Sequence, residues 1–506
     1  MTAIGCAALL PLMPAPSPLA SAVALADAGH AFAHEKKWTE AIAAFERALT
    51  LNPNMGIACG ALAFCYEKRE RFTDAIEAYS KATELLPDSL ALAFNLANVL
   101  RTEGRLADAE ASYRRALSLD PSHVLSLGNL GLTLHSLGRP DEAIACYARA
   151  LEIRPDYAEA INNLGSAYVA KNQIGTALEA YRAALLLDPS NRRIAFNEGV
   201  AHLLAGDLEA GFRGYEHRVM PPWQQAFSGK KWDGRESLEG RSILVAYEQG
   251  FGDTIHFVRY AERVAEMGAE VHLMVQPGMK RLLSSVRGVA SVVAAGEPLP
   301  PHDTHCSMMS LPFLLGTTLE TVPARIPYLA APASLSAAWA QRLEGPRPLV
   351  GLAWSGNPTH HLDRWRSVPQ ARLTDALGGV ASRLVGLQKE IRLSDARTVS
   401  SRQSVAYFGG EIQDFADTAA LISQVDLVVS VDTSVAHLAG ALGKPVWILL
   451  PYAPDFRWML GRTDSPWYPT ARLFRQQKPQ DWEPVLDSVR QSLRDWAAAA
   501  RPQQDC

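Results

Sequence analysis

Leu427-Val-Val-Ser-Val-Asp-Thr-Ser-Val-Ala-His437, continued by Leu-Ala-Gly-Ala-Leu-Gly-Lys-Pro-Val-Trp-Ile-Leu-Leu450, decides how the second half of the chain folds. An apolar, β-branched run stops at Asp432-Thr433-Ser434 and gives way to a small-residue helical pattern that reaches Leu442. Gly443-Lys-Pro445 ends that helix, and 446–450 reads as a second buried strand. The unit is strand–helix–strand, with polar residues at the helix start. Free backbone N–H groups and the helix dipole make such a start a seat for phosphate. Thr433 and His437 are four residues apart, so both lie on one face of the first turn. This predicts a diphosphate site, of the kind that holds a nucleotide-sugar. The plainer alternative is a capped turn with an exposed histidine.

The same grammar occurs upstream. Ser242-Ile-Leu-Val-Ala-Tyr247 reads as a buried strand, Glu248-Gln-Gly-Phe-Gly252 as a glycine loop, 253–267 as an amphipathic helix, and 270–276 as the next strand. Repeated βαβ units predict parallel sheets with helices outside. Asp253 puts a carboxylate at a helix start facing the crevice beyond the strand ends, or serves only as a helix cap. From 349 the pattern restarts with Val350-Gly-Leu-Ala-Trp354 and a polar loop over 355–367 that carries Arg364 and Arg366. Arginines opposite a helix N-terminus complete a clamp for a diphosphate leaving group; the alternative is solvated surface arginine. A strand over 383–388 and a helix over 415–424 follow, with Asp414 and Asp417 as helix-start residues. The stretch 452–467 is rich in aromatics and proline and reads as a loop by the same crevice. The terminal helix, 481–499, is expected to pack back across the first α/β domain.

The first half is periodic. Pro53, Pro87, Pro121, Pro155 and Pro189 are spaced by 34, as are Ala41, Ala75, Ala109, Ala143 and Ala177. So are the aromatics Phe45, Tyr79, Tyr113, Tyr147, Tyr181 and Tyr215, and the small residues Gly29, Ala63, Ala97, Gly131, Gly165 and Gly199. This period with these columns resembles the tetratricopeptide repeat. The resemblance implies an α-solenoid: five full repeats over about 22–190 and a degenerate sixth over 194–218, in which Gly211 stands in the alanine column. A polar column, Asn95, Asn129, Asn163 and Asn197, has the same spacing. Amides offer both donor and acceptor, so such a ladder in the groove can hold an extended peptide by its backbone, as in the repeats of O-linked N-acetylglucosamine transferases. The alternative is an ordinary consensus asparagine. Between the halves, 219–240 is Pro-, Gly- and Trp-rich, without either period, and reads as a linker.

Composition narrows the function classes. The 506 residues carry a net charge of −4, with 48% hydrophobic and 20% charged residues, so nothing suggests a nucleic-acid partner. Six cysteines, at 6, 59, 65, 146, 306 and 506, have no metal-like spacing and read as reduced thiols. The apolar start lacks a preceding Lys or Arg and is broken by Pro11, Pro14, Pro16 and Pro18, so a secretory leader is not expected. No stretch reaches 18 uninterrupted apolar residues. The expectation is a cytoplasmic protein without a membrane span.

Two motifs carry a more specific likeness. Gly252-Asp253-Thr-Ile-His256 and Val431-Asp432-Thr433-Ser434-Val-Ala-His437-Leu-Ala439 resemble the Gly-Asp segment and the Asp-Thr-Gly-x-x-His-x-Ala nucleotide-sugar motif of glycosyltransferase family 9, the bacterial heptosyltransferases. The resemblance covers about 240–490. It implies a GT-B fold of two Rossmann-like domains, over 241–345 on the acceptor side and 346–506 on the donor side, preceded by an extension (1–21), the repeats (22–218) and the linker (219–240). It implies inverting, metal-independent transfer with a nucleotide-sugar as substrate and no cofactor. Asp253 would be the base, and Asp432, Thr433, Ser434 and His437 would hold the donor. Arg366 stands where the family has a phosphate-binding lysine, and Gln388 stands near a ribose contact that is usually Glu. Ser434 replaces a glycine, so heptose specificity is not implied. The acceptor expected from the repeats is a protein or peptide. A glycan-directed enzyme, or a scaffold that binds nucleotide without transfer, are the alternatives.

Overall fold

A computed structural model describes residues 17–359, 363–380, 383–395 and 405–499. Cys6, Cys506 and most of the 1–21 extension lie outside the described residues, as do His360 and His361 of the 355–367 loop. The chain divides into two compact units, Met1–Tyr168 with Leu186–Asp188, and Val169–Leu185 with Pro189–Cys506.

The N-terminal part is a helical solenoid of paired helices. The pairs are Pro18–His34 with Trp38–Leu51, Gly56–Lys68 with Phe72–Leu85, Leu90–Thr102 with Leu106–Leu119, and Val124–Ser136 with Pro140–Ile153; Ala158–Ala170, Ile174–Leu187, Arg192–Ala205 and Leu208–Tyr215 follow. The first helix already begins at Pro18, with Ser17 as its cap. The sequence columns explain the packing. A Cβ on Gly29 would come within 2.7 Å of the Phe45 ring, and one on Gly131 within 2.6 Å of the Tyr147 ring. The small residue on one helix is thus the floor on which the aromatic of the next helix lies. Phe45, Tyr79, Tyr113 and Tyr147 are completely buried, as are the alanines of their column from Ala41 to Ala143. In the sixth repeat the rule changes, and a Cβ on Gly199 would meet the backbone of Gly214 at 2.7 Å.

The rest of the chain is a parallel-sheet α/β region. The first sheet has the order β1 (Lys230–Lys231), β5 (Thr304–Ser307), β2 (Ser242–Ala246), β3 (Glu270–Val275), β4 (Val289–Ala294). The second has the order β11 (Ala471–Arg475), β10 (Val446–Leu450), β9 (Leu427–Val431), β6 (Leu349–Ala353), β7 (Arg383–Gly386), β8 (Val405–Tyr407). Every pairing is parallel. The central strands β9, β10 and β6 are buried along their whole length, which is why they read as unbroken apolar runs.

Three features depart from the sequence reading. The stretch 219–240 is not merely a linker, because β1 adds an edge strand to the first sheet and Trp232 beside it is buried. The helix expected over 253–267 is two short helices, Phe251–Phe257 and Tyr260–Glu266. At the break, Arg259 turns inward and donates to the carbonyls of His256 (2.7 Å) and Trp467 (2.7 Å) and to the Tyr328 hydroxyl (2.9 Å). The terminal helix, Glu483–Ala499, packs on the second sheet and not across the first. Val485, Leu486, Val489 and Leu493 join a core with Val350, Val429 and Leu449, and Arg490 donates to the Ala376 carbonyl. The amphipathic pattern fixes which face of a helix is buried and carries no information about which sheet buries it.

Candidate functional site

Strand β9 ends at Val431, Asp432 follows it, and the helix Ser434–Ala441 begins after Thr433, whose extended backbone (φ −145°) makes the turn. No side chain caps this helix start. In the first sheet, β2 runs into the glycine loop and the helix Phe251–Phe257. The two helix starts meet. A Cβ on Gly252 would lie 3.1 Å from His437 Cδ2 and 3.7 Å from Ser434 Cα, so only glycine permits this approach without displacing the imidazole. Asp253, Asp432, Thr433, Ser434 and His437 therefore belong to one cluster, although the two motifs are far apart in the chain.

Asp253 is half-buried, and both of its oxygens are engaged. Oδ2 accepts from the Gly250 amide at 2.8 Å, the helix-cap role, and Oδ1 accepts from Arg457 Nη2. Burial pushes its carboxyl up, opposed by the Arg457 charge. Arg457 sits on a one-turn 3-10 helix, Phe456–Trp458, inside the aromatic- and proline-rich stretch 452–467. It is buried, donates through Nη1 to Asp455 at 2.9 Å, and leaves its Nε with no partner among the described residues. Asp432 is buried, and burial together with Asp455 pushes its carboxyl up to about 6, opposed by Arg366 and Arg457.

His437 is not the exposed histidine of the plainer alternative. It is buried, stacks on Trp458 (5.2 Å between centroids, 15° between planes) and sits 3.0 Å through Nδ1 from the Tyr468 hydroxyl, with Nε2 4.0 Å from Asp432. His256, from the other helix, approaches the same hydroxyl through its own Nδ1 at 3.0 Å. Burial holds both imidazoles well below 6.5, so both are neutral at physiological pH.

Arg366 closes the helix Asp363–Arg366, with Nε 3.5 Å from Asp363 and its guanidinium packed at Gly356, the loop after β6. It acts electrostatically on both Asp432 and His437. Arg364 lies over the Trp365 ring instead. Gln388 is buried, and its amide is committed inside the protein: Oε1 accepts from the Trp354 and Ser355 amides (2.7 and 3.0 Å), and Nε2 donates to Ser355 Oγ and the Glu390 carbonyl (2.9 and 3.2 Å). Here it braces the ends of β6 and β7. Asp414 and Asp417 are helix-start residues, and Arg281 of the first sheet's side pairs with both. Among the described residues, no group of three or more His, Cys, Asp or Glu side chains is placed to hold a metal ion.

The sixth repeat enters the same neighbourhood. Arg218 and Glu248 form a bidentate pair, 2.7 Å at each contact, with side chains 2% and 0% exposed. Glu216, Ser307 and Ser310 complete it. Because Glu248 stands two residues past the end of β2, the pair anchors the root of the Asp253 loop. Phe212 and Tyr215 lie against Phe456, at 6.5 and 5.4 Å. The sequence reading does not single out Arg457, Tyr468, Arg218 or Glu248; the aromatic density of 452–467 points only towards Arg457, with Tyr468 just beyond it. The asparagine column is half-buried throughout. Asn129 donates to Asn98 at 2.8 Å, Asn163 accepts from Asn162 at 3.1 Å, and Asn95 sits by the Tyr79 hydroxyl. Asn197 lies in the sixth repeat.

Tetratricopeptide repeat families match residues 32–98, 94–158 and 134–195. Glycosyltransferase family 9 (heptosyltransferase) matches residues 410–481, which run from before the helix Phe415–Gln424 through β9, β10 and the Arg457 loop to just past β11. Protein FlbA of Caulobacter vibrioides is 26% identical over 335 residues, 59% of this chain and 54% of that protein; the chain thus spans about half the length of this relative. Similar solved structures include the MamA protein (24% identity, 34% of this chain and 94% of that one, TM-score 0.33). YrrB, described as a TPR protein with an unusual peptide-binding site, is another (23% identity, 34% and 89%, TM-score 0.33). No described helix is long and apolar enough to cross a membrane.

Proposed function

Because this chain joins tetratricopeptide repeats to a glycosyltransferase family 9 segment, we propose that it is an inverting, metal-independent glycosyltransferase of GT-B architecture. It moves a sugar from a nucleotide-sugar to a protein or peptide acceptor recruited by the repeats. The observation that carries this reading is the meeting of the two helix starts, Gly252 against Ser434 and His437, which brings Asp253 to the phosphate-seat motif.

In this reading the donor's diphosphate lies on the uncapped start of Ser434–Ala441, with Thr433, Ser434 and Arg366 beside it. The acceptor hydroxyl oxygen attacks the anomeric carbon and gives its proton to the Asp253 carboxylate. The bond to the diphosphate breaks, and the leaving group departs with the electron pair. Aligned N–H groups and a guanidinium stabilise that developing charge. His437 acts as a neutral brace that orients Asp432 and the helix start, and Gln388 holds the strand ends and not the ribose. Asn95, Asn129, Asn163 and Asn197 supply the acceptor groove. The setting is cytoplasmic.

The test is transfer or donor hydrolysis across a panel of nucleotide-sugars. General-base help is worth about 10²–10⁴-fold, so Asp253→Ala should cut turnover by that factor while donor binding survives. Turnover within a few-fold of wild type would remove Asp253 from the role. One observation favours a second reading, a scaffold that binds nucleotide without transfer: both Asp253 oxygens are engaged, one in capping and one with Arg457. Binding without turnover on any donor would select it. If the acceptor is a glycan, Asn129→Ala with Asn163→Ala would leave acceptor binding unchanged.

A further inference from the structure

Arg457 occupies an unusual position. Its loop follows β10 of the second sheet, yet its guanidinium reaches Asp253 on the first sheet's side, while Asp455 holds the other end of the fork. Phe456 and Phe257 both lie against it, with ring centroids 4.4 and 5.2 Å from the guanidinium carbon. Phe212 of the sixth repeat lies behind both rings, at 6.5 Å from each. The side chain is 6% exposed, and its Nε is a buried donor without a partner among the described residues. A buried unpaired donor on a charged group is unfavourable unless a ligand supplies the acceptor. The start of the Ser434–Ala441 helix is adjacent, through Gly252.

Resting on the transferase reading, we propose that Arg457 is a hand-off residue: it holds Asp253 until an arriving donor diphosphate takes the guanidinium and frees the carboxylate. The exchange keeps an anion on the guanidinium throughout, and leaves Asp253 as a free carboxylate able to accept a proton. It also orders the reaction. Asp253 becomes available for the acceptor hydroxyl only after the donor is seated, so an acceptor that arrives first meets a carboxylate already engaged.

The consequence is counterintuitive, because the proposed base competes with the donor for Arg457. Titration calorimetry on the full-length protein, with UDP, ADP and GDP and the corresponding nucleosides as probes, tests it through a double-mutant cycle. Asp253→Asn should tighten binding of the preferred nucleoside diphosphate about tenfold, and Arg457→Gln should weaken it by about tenfold or more, the worth of one charge-assisted contact. Neither should alter the nucleoside's affinity. In the Arg457→Gln background, Asp253→Asn should change diphosphate affinity less than about twofold, since coupled residues are non-additive. Simple repulsion between Asp253 and phosphate predicts instead that the tightening persists there, and that result overturns the hand-off. So does unchanged or weaker binding in Asp253→Asn alone. If Arg457→Gln does not fold, Arg457→Lys replaces it: the fork is lost, so the tightening should shrink to less than about threefold. A wild-type protein that binds no nucleoside diphosphate overturns the transferase reading and the hand-off together. One that binds and turns over but fails the cycle loses only the hand-off.

Discussion

The fourth and sixth repeats share their columns and use them differently. In the fourth, Gly131 is a floor for Tyr147, so the aromatic column closes a gap between two helices of the array. In the sixth, Gly199 is filled by the Gly214 backbone, and Tyr215 with Phe212 turns instead to Phe456 of the α/β region. The same chemistry serves as internal filler in one repeat and as a docking surface in the other. Periodicity thus specifies how a repeat closes on itself, and departures from it mark where a repeat has been recruited into another core.

Arginine substitutions should break this contrast most strongly. Arg218→Met leaves Glu248 buried and unpaired, a loss of about 3–5 kcal/mol, read as a large fall in the urea midpoint of the second unit. Arg139→Met, within an exposed ion-pair network of the array, should leave the midpoint nearly unmoved. If the two variants behaved alike, the sixth repeat would be an ordinary array member. Glycine substitutions come next. Gly131→Ala pushes on a ring that can tilt, and should cost about 1–3 kcal/mol. Gly199→Ala pushes on backbone that cannot move aside, and should exceed it in the same melting assay.

Acid titration should separate the units by a smaller amount. His256 and His437 lie in the α/β region and are held neutral when folded, whereas the unfolded chain takes up protons below about 6.5. Their contribution is present above that pH and is lost as pH falls below it, by up to about 1.4 kcal/mol per pH unit for each histidine. Asp432 has the opposite sign. Its folded carboxyl titrates at about 6 against 3.8 unfolded, so on acidification it gains a proton first in the folded state and offsets part of the loss. Asp432→Asn should therefore steepen the fall in Tm between pH 6 and pH 4. The smallest effect lies within the array. Tyr113→Phe removes a 2.6 Å bond to Asn98 and should cost about 1 kcal/mol. Tyr147→Phe removes a buried hydroxyl that has no partner among the described residues and should be neutral or stabilising.

These contrasts show what could be read from the chain. Strands such as 427–431 and 446–450 were legible because central parallel strands are buried on both faces, and the repeats because a period survives any tertiary context. The cluster at the helix starts was legible as two separate motifs, whose meeting depends on Gly252, a contact that local sequence cannot express. Arg457, Tyr468 and the Arg218–Glu248 pair were illegible for a related reason. They stand in irregular segments or at element ends, where no periodicity marks a side chain as buried, and their partners are distant in sequence. Gln388 is placed near a ribose contact only by the family resemblance; the sequence carries no sign that its amide also bonds the backbone at the ends of two strands.

The two-residue strand at Lys230–Lys231 bears on how the protein can be divided. Composition puts a border at 240, but a cut there would strip β1 from Thr304–Ser307, where Trp232 also donates its amide to His305. The released ladder groups would form a bare strand edge, the template on which chains associate with one another. A fragment beginning at 241 should therefore tend to aggregate, and one beginning at 189, which keeps both β1 and the Arg218–Glu248 pair, should stay dispersed. What looks like a tether between two halves is a seal on the second.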